Sequence, residues 1–206
     1  MNLPNQLTLF RFLLVPVFLI FFSLPHYWAY PCALLIFILA SVTDLLDGYL
    51  ARKNKQVTMF GEFMDPLADK FLISAALICF VEISYLRVSA WMVVFIIGRE
   101  FLITGLRLIG ISKGEVIAAD RSGKFKTTSQ MVTISVILLL LSAEALLSRF
   151  YAYNLYDPLA TSGWPTLAQN LPHWLMFLTT FLTLLSGYSY LRKNRHLFAK
   201  ETGLSQ

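Results

Sequence analysis

Six long apolar runs constrain this chain more than any other feature of its sequence. They lie at about residues 7–22, 28–50, 66–86, 91–108, 127–147 and 174–191. A helix needs roughly 17–25 apolar residues to cross the hydrocarbon core of a bilayer, and it satisfies its own backbone hydrogen bonds there. The pattern predicts an all-α integral membrane bundle of six transmembrane helices, with residues 1–206 as a single domain.

The composition excludes several other classes of protein. Hydrophobic residues make up 57% of the chain and charged residues 14%, whereas soluble domains carry roughly 25% charged residues. Cys32 and Cys79 lie inside apolar runs, so neither a disulfide framework nor a thiolate metal cluster is expected. The net charge of +5 is typical of the basic residues that orient membrane helices, and we expect no nucleic-acid partner.

The basic residues predict the orientation of the bundle. All lysines and arginines except Arg87 and Arg149 fall on one side of the predicted helices or within helices that approach it. Basic residues accumulate on the cytoplasmic side, so we expect both termini and the functional face there, in a multi-pass protein of the cell (inner) membrane. The first run lacks a cleavage site and is interpreted as a retained helix. The aromatic and proline-rich residues 149–173 predict an outer loop.

Four aspartates lie near the predicted cytoplasmic ends of the second and third runs. Acidic residues inside apolar helices are costly and usually mark function. Asp44 and Asp47 are about one helical turn apart, as are Asp65 and Asp69, so each pair shares a helix face. Four carboxylates in a partly desolvated cleft need a counter-charge, and hard oxygen ligands favour Mg²⁺, Mn²⁺ or Ca²⁺. The sequence therefore predicts a divalent metal site.

Small residues accompany these aspartates. Gly48 and Ala51 lie on the face that carries Asp44, and Gly61 lies one turn before Asp65. Missing side chains allow a bulky phosphorylated ligand to approach a helix closely, but they also allow two helices to pack tightly. Both interpretations remain open at this point.

The spacing of these residues resembles the signature of the CDP-alcohol phosphatidyltransferase family. These membrane enzymes move a phosphatidyl or similar group from a CDP-linked lipid to an alcohol and release CMP. The resemblance is carried by Asp44-x2-Asp47-Gly48-x2-Ala51-Arg52-x8-Gly61-x3-Asp65-x3-Asp69. Within the family, residues 2–11, 98–107 and 123–130 are similar to the bacterial phosphatidylglycerophosphate synthases.

The resemblance implies a role for each matching residue. It implies that Asp44, Asp47, Asp65 and Asp69 hold two divalent ions, Mg²⁺ or Mn²⁺, which also bind the CDP diphosphate, and that Asp69 is the general base. It further implies a homodimer. Contacts with the CDP-lipid would come from Asn5, Thr8, Gly48, Ala51, Arg52, Thr58 and Gly61. A turn or helix-capping role is an alternative for Thr58.

An acceptor that carries a phosphate requires a cationic pocket. The candidates are Arg99, Arg107, Lys124 and Lys126. Ordinary enrichment of basic residues on the cytoplasmic side is the alternative explanation. It explains Arg99 less well, because a charge near the middle of a span needs a partner, for which Glu100 and Glu62 are the candidates.

The resemblance therefore implies transfer of the phosphatidyl group of CDP-diacylglycerol to glycerol 3-phosphate, with CMP as the second product. No Ser, Cys or His nucleophile is evident, so direct displacement is favoured over a covalent enzyme intermediate. The first alternative is another alcohol acceptor within the family. The others are an intramembrane Mg²⁺-dependent prenyltransferase, whose aspartate motifs lie further apart, and a cation transporter, in which Gly48-x2-Ala51-Arg52 has no clear role.

Overall fold

The computed structural model describes residues 3–54, 59–112, 121–151, 153, 155–156 and 164–193. Within this part the chain forms six α-helices and one short 3-10 helix, η1, and it contains no strand. The predicted all-α fold class is therefore confirmed. The elements are α1 (Leu3–Ser23), α2 (Ala29–Asn54), α3 (Met59–Glu82), η1 (Ser84–Leu86), α4 (Ala90–Ser112), α5 (Arg121–Tyr151) and α6 (Trp164–Lys193).

The six helices form a closed ring of neighbours. α1 packs against α2 and α3, α2 against α5, α5 against α6, α6 against α4, and α4 against α3. α3 also contacts α5. As a result, α1 lies between the two helices that carry the predicted aspartates, and α6 lies between α4 and α5.

Successive helices run in opposite directions, so the chain turns gather at two ends of the bundle. We call one of them the aspartate end, because α2 ends and α3 begins there; α1 and α5 also begin there, and α4 and α6 end there. We call the other the η1 end, because η1 joins α3 to α4 there. Between them, Phe18, Phe37, Phe80 and Leu138 are buried where α1, α2, α3 and α5 meet.

The outward faces of the helices are apolar. Leu13 of α1 is 59% exposed, Val94 of α4 is 67% exposed and Phe181 of α6 is 52% exposed. Within the described residues, α5 and α6 contain stretches long and apolar enough to cross a membrane, at Lys126–Tyr151 and Leu167–Lys193, and shorter apolar helices lie at Thr8–Ser23 and Ala29–Thr43. Apolar outward faces and apolar helices together are compatible with a membrane bundle.

Two helices begin well before the apolar runs that predicted them. α3 begins at Met59 and α6 at Trp164, because the polar residues of a helix end carry no hydropathy signal. The prediction of an outer loop at residues 149–173 is wrong for residues 149–151, which end α5, and for residues 164–173, which begin α6. Pro165 fits the first turn of α6, where a missing N–H costs nothing, whereas Pro172 lies inside the helix.

The early part of α6 is held against η1 by two contacts of Arg87. The guanidinium of Arg87 donates from Nη1 to Asn170 Oδ1 at 3.2 Å. Its backbone carbonyl lies 2.8 Å from His173 Nδ1, with Arg87 itself in the left-handed region at φ 54°. These contacts hold Asn170 and His173, in the second and third turns of α6, against the end of η1.

Candidate functional site

The predicted metal ligands belong to α2 and α3. Asp44 and Asp47 lie in α2, and Asp65 and Asp69 lie in α3. Both helices continue without interruption through these positions, so each pair has the one-turn spacing on which the prediction depends. The side chains of all four lie outside the described part, and the metal site stays a prediction. Among the described residues, no group of three or more His, Cys, Asp or Glu is arranged to hold a metal ion.

One predicted CDP-lipid residue, Thr8, has a described side chain, and it is buried on α1. Arg11 follows one turn later and is also fully buried, although α1 is otherwise almost wholly apolar. The sequence prediction did not assign it a role, and the signal was its position as the single charge in the first apolar run. Thr58 lies outside the described residues, as do the side chains of Asn5, Gly48, Ala51, Arg52 and Gly61.

Charged and hydroxyl side chains of α4, α5 and α6 meet within the bundle. Arg99, near the middle of α4, donates from Nη2 to the hydroxyl oxygen of Ser186 in α6 at 2.8 Å. Its Nη1 lies 3.6 Å from Oε1 of Glu100. Lys126 of α5 forms an ion pair with the same carboxylate oxygen. We call these four residues the polar cluster.

The polar cluster carries an excess of positive charge. Two cations, Arg99 and Lys126, share the single carboxylate of Glu100, and their side chains are only 12% and 2% exposed. Burying charge is costly unless it is paired. The net positive charge of these four residues therefore favours an anion beside them.

Two of the predicted acceptor-site cations are thus brought together. Glu100, one of the two predicted partners of Arg99, lies beside it, whereas the side chain of Glu62 lies outside the described part. Arg107 lies about two turns beyond Arg99 on α4 and is exposed. The side chain of Lys124 lies outside the described part, so its role stays a prediction.

Buried polar residues extend from this cluster along the facing sides of α5 and α6. Thr133 of α5 and Thr179 of α6 share a hydrogen bond of 2.8 Å. Within the described part, the carboxamide of Gln130 and the hydroxyl of Thr183 are buried and have no hydrogen-bond partner. Buried polar groups normally have one, so these two are exceptions among the described residues.

The sequence prediction missed the contribution of α6. Its apolar composition concealed a polar face made of Thr179, Thr183 and Ser186, which are spaced i, i+4 and i+7. That spacing places all three on one side of a helix. The periodicity of hydroxyl residues was the available signal.

Two polar side chains of the η1 end, those of Glu144 and His173, contact the backbone. Glu144 Oε2 accepts a hydrogen bond from the backbone N–H of Leu155 at 2.6 Å. Nearby, burial raises the pKa of Tyr156, and the negative charge of Glu144 adds to that rise in pKa. Burial likewise raises the pKa of Tyr85, whose ring centroid lies 4.5 Å from that of Tyr156. Among its described residues, this end therefore has no cluster with a net charge.

Comparison with known proteins gives consistent results. The sequence model of a family described as CDP-alcohol phosphatidyltransferase matches residues 1–185. The chain is 40% identical over 205 residues to a protein of Bacillus subtilis (strain 168) named CDP-diacylglycerol–glycerol-3-phosphate 3-phosphatidyltransferase. That match covers 94% of this chain and 95% of the relative.

Two further relatives carry the same name. The protein of Sodalis glossinidius (strain morsitans) is 42% identical over 144 residues, which covers 67% of this chain and 77% of the relative. The protein of Escherichia coli (strain K12) is 41% identical over 143 residues, which covers 66% of this chain and 76% of the relative.

Proposed function

Since the chain belongs to the CDP-alcohol phosphatidyltransferase family, we propose that it transfers the phosphatidyl group of CDP-diacylglycerol to glycerol 3-phosphate. The products are phosphatidylglycerophosphate and CMP. The observation that carries the choice of acceptor is the polar cluster, where a buried surplus of positive charge suits a phosphate. The names of the relatives support the same pair of substrates.

We assign the acceptor phosphate to Arg99 and Arg107 of α4 and to Lys124 and Lys126 of α5. The planar guanidinium of Arg99 suits two-point recognition of a phosphate. Lys126 is paired with Glu100, so its charge is fixed in place before the acceptor arrives. Glycerol lacks the phosphate and would leave this surplus charge uncompensated.

The family generally depends on divalent metal ions, and we propose that Asp44, Asp47, Asp65 and Asp69 hold two of them, Mg²⁺ or Mn²⁺. The donor set fits, because four hard carboxylate ligands lie on two uninterrupted helices that share α1 as a neighbour. Bound ions would neutralise the charge of the CDP diphosphate. The CDP-lipid itself is assigned to Asn5, Thr8, Gly48, Ala51, Arg52, Thr58 and Gly61.

Asp69 acts as the general base in this proposal. Its carboxylate accepts the proton of the acceptor hydroxyl as that oxygen forms a bond to the phosphorus of the phosphatidyl group. The bond between this phosphorus and the CMP oxygen breaks, and CMP leaves with that electron pair. The polar cluster holds the other end of the acceptor, which orients the hydroxyl for attack.

We further propose that the whole chain is one domain that spans the cell (inner) membrane several times and assembles as a homodimer. In this orientation the aspartate end and both termini face the cytoplasm. The distribution of basic residues supports this orientation, because basic residues near a membrane favour the cytoplasmic side. Arg87 and Arg149 are the two that the sequence analysis assigned to the opposite side, and both lie at the η1 end.

The test is CMP release by the purified protein from CDP-diacylglycerol with glycerol 3-phosphate, glycerol, serine and inositol phosphate as acceptors. We expect release with glycerol 3-phosphate, its abolition by EDTA and its recovery with Mg²⁺ or Mn²⁺. Preference for another acceptor would assign a different activity within the family. An intramembrane prenyltransferase or a cation transporter would release no CMP, and full activity in chelator would contradict the metal assignment.

A further inference from the structure

We infer that Ser186 and Gly187 of α6 position the guanidinium of Arg99 for the phosphate of the acceptor. The inference rests on the proposed function, since it concerns how one helix prepares a residue of another for that substrate. Neither residue belongs to the aspartate motif or to the predicted set of acceptor cations.

The hydroxyl of Ser186 is used differently from most described hydroxyls of the helices. Ser41, Ser142 and Thr180 each donate to the backbone carbonyl four residues earlier in their own helix, at 2.7–2.8 Å. Ser186 instead offers its oxygen to Nη2 of Arg99, which belongs to a different helix. A hydrogen bond from a charged donor is stronger than one between neutral groups, so this contact fixes where the guanidinium lies.

Gly187 makes room for the same side chain. A Cβ atom added at Gly187 would lie 3.1 Å from Cγ of Arg99 and 3.7 Å from its Nε. The first distance is shorter than ordinary carbon contacts. A side chain at Gly187 would therefore displace Arg99 near the base of its side chain, where a small shift moves the guanidinium furthest.

Arg99 is consequently held from two sides before substrate binds. The Ser186 hydroxyl accepts a hydrogen bond from Nη2, and the absence of a side chain at Gly187 leaves room for the aliphatic part of Arg99. Oε1 of Glu100 lies 3.6 Å from Nη1. A long arginine side chain normally loses much rotamer freedom when it binds a ligand. Fixing it beforehand removes part of that cost from acceptor binding, so Ser186 and Gly187 are positioning residues.

The experiment compares Ser186→Ala and Gly187→Ala with the unchanged protein in the CMP-release assay. We expect each variant to raise the KM for glycerol 3-phosphate about tenfold, while kcat and the KM for CDP-diacylglycerol change less than about twofold. Gly105→Ala is the matched control, because a Cβ there meets no described atom within 4 Å. Ser186→Thr keeps the hydroxyl and should restore most of the affinity for the acceptor.

A double variant separates positioning from a general effect on the fold. If Ser186 acts through Arg99, then Ser186→Ala should add little to the KM defect of Arg99→Ala. Additive defects, equal losses for both substrates, or an unchanged KM in Ser186→Ala would overturn the inference. If the unchanged protein released no CMP with glycerol 3-phosphate, the proposed function itself would fail, and that outcome is distinguishable from any behaviour of the variants.

Discussion

The two ends of the bundle use polar residues for opposite purposes. At the η1 end, Glu144 and His173 contact backbone groups of Leu155 and Arg87. In the half of the bundle towards the aspartate end, Arg99 and three other side chains contact one another across three helices and carry a net positive charge among themselves. Polar groups that bind the backbone stabilise the fold, whereas a buried cluster with a net charge favours a ligand of opposite charge.

This comparison predicts that changes at the aspartate end alter kinetics, and that changes at the η1 end alter stability. The largest effect is expected for Asp69→Asn, which keeps the size of the side chain and removes the base. Turnover should fall by roughly 10²-fold or more, measured as CMP release at saturating substrates. Glu144→Gln is the matched control at the η1 end and should keep turnover. Near-full activity of Asp69→Asn at neutral pH would show that the base lies elsewhere.

The second effect concerns recognition of the acceptor. Arg99→Ala should raise the KM for glycerol 3-phosphate by about 10- to 100-fold, because one charge-assisted contact contributes about 1.5–3 kcal/mol. The KM for CDP-diacylglycerol should stay nearly constant. Arg149→Ala removes the same kind of side chain at the η1 end, where the guanidinium lies 5.9 Å from the ring centroid of Tyr27, and should change neither KM. If Arg99→Ala and Arg149→Ala changed the KM for glycerol 3-phosphate equally, the two ends would not differ in their role in acceptor binding.

A change confined to stability is expected for Glu144→Leu. It leaves the backbone N–H of Leu155 without its acceptor, at a cost of about 1–3 kcal/mol in the free energy of unfolding. Thermal unfolding in detergent should show a lower Tm, while kcat measured below the transition should match the unchanged protein. A selective rise in KM for either substrate would instead connect this end to catalysis.

The smallest effect is expected for Tyr156→Phe. The Tyr156 hydroxyl is buried and has no hydrogen-bond partner among the described residues, so its removal should change the free energy of unfolding by less than about 1 kcal/mol. Burial raises the pKa of Tyr156, so the folded protein keeps this proton after the unfolded chain has lost it. Stability should therefore fall as pH rises above about 10, and Tyr156→Phe should weaken that fall, as seen in Tm between pH 8 and 11.

The sequence predicted the helices more accurately than it predicted their ends. Hydropathy finds the lipid-facing length of a helix, and each of the six apolar runs corresponds to one observed helix. Hydropathy does not detect the start of a helix where the first residues are polar or include proline. The first ten residues of α6 were therefore missed, and two of them, Asn170 and His173, are held by contacts with Arg87 that no local pattern indicates.

The candidate site was likewise predicted only in part from the sequence. Arg99 stood out in the sequence because a charge near the middle of a span needs a partner, and Glu100 was one of two candidates. Ser186 and Gly187 could not be found by that reasoning, since small residues are common in membrane helices. The hydroxyl periodicity of α6 marks the face that carries Ser186, but the contact with Arg99 depends on how α6 is rotated against α4, which no local pattern specifies.

The most direct test of the difference between the two ends is the preference for glycerol 3-phosphate over glycerol, measured as the ratio of their kcat/KM values. We predict a ratio of about 100 or more for the unchanged protein and for Arg149→Ala, and a ratio at least about tenfold smaller for Arg99→Ala. If glycerol served as well as glycerol 3-phosphate, or if Arg99→Ala kept the full preference, the polar cluster would not be the phosphate site and its cations would only orient the helices.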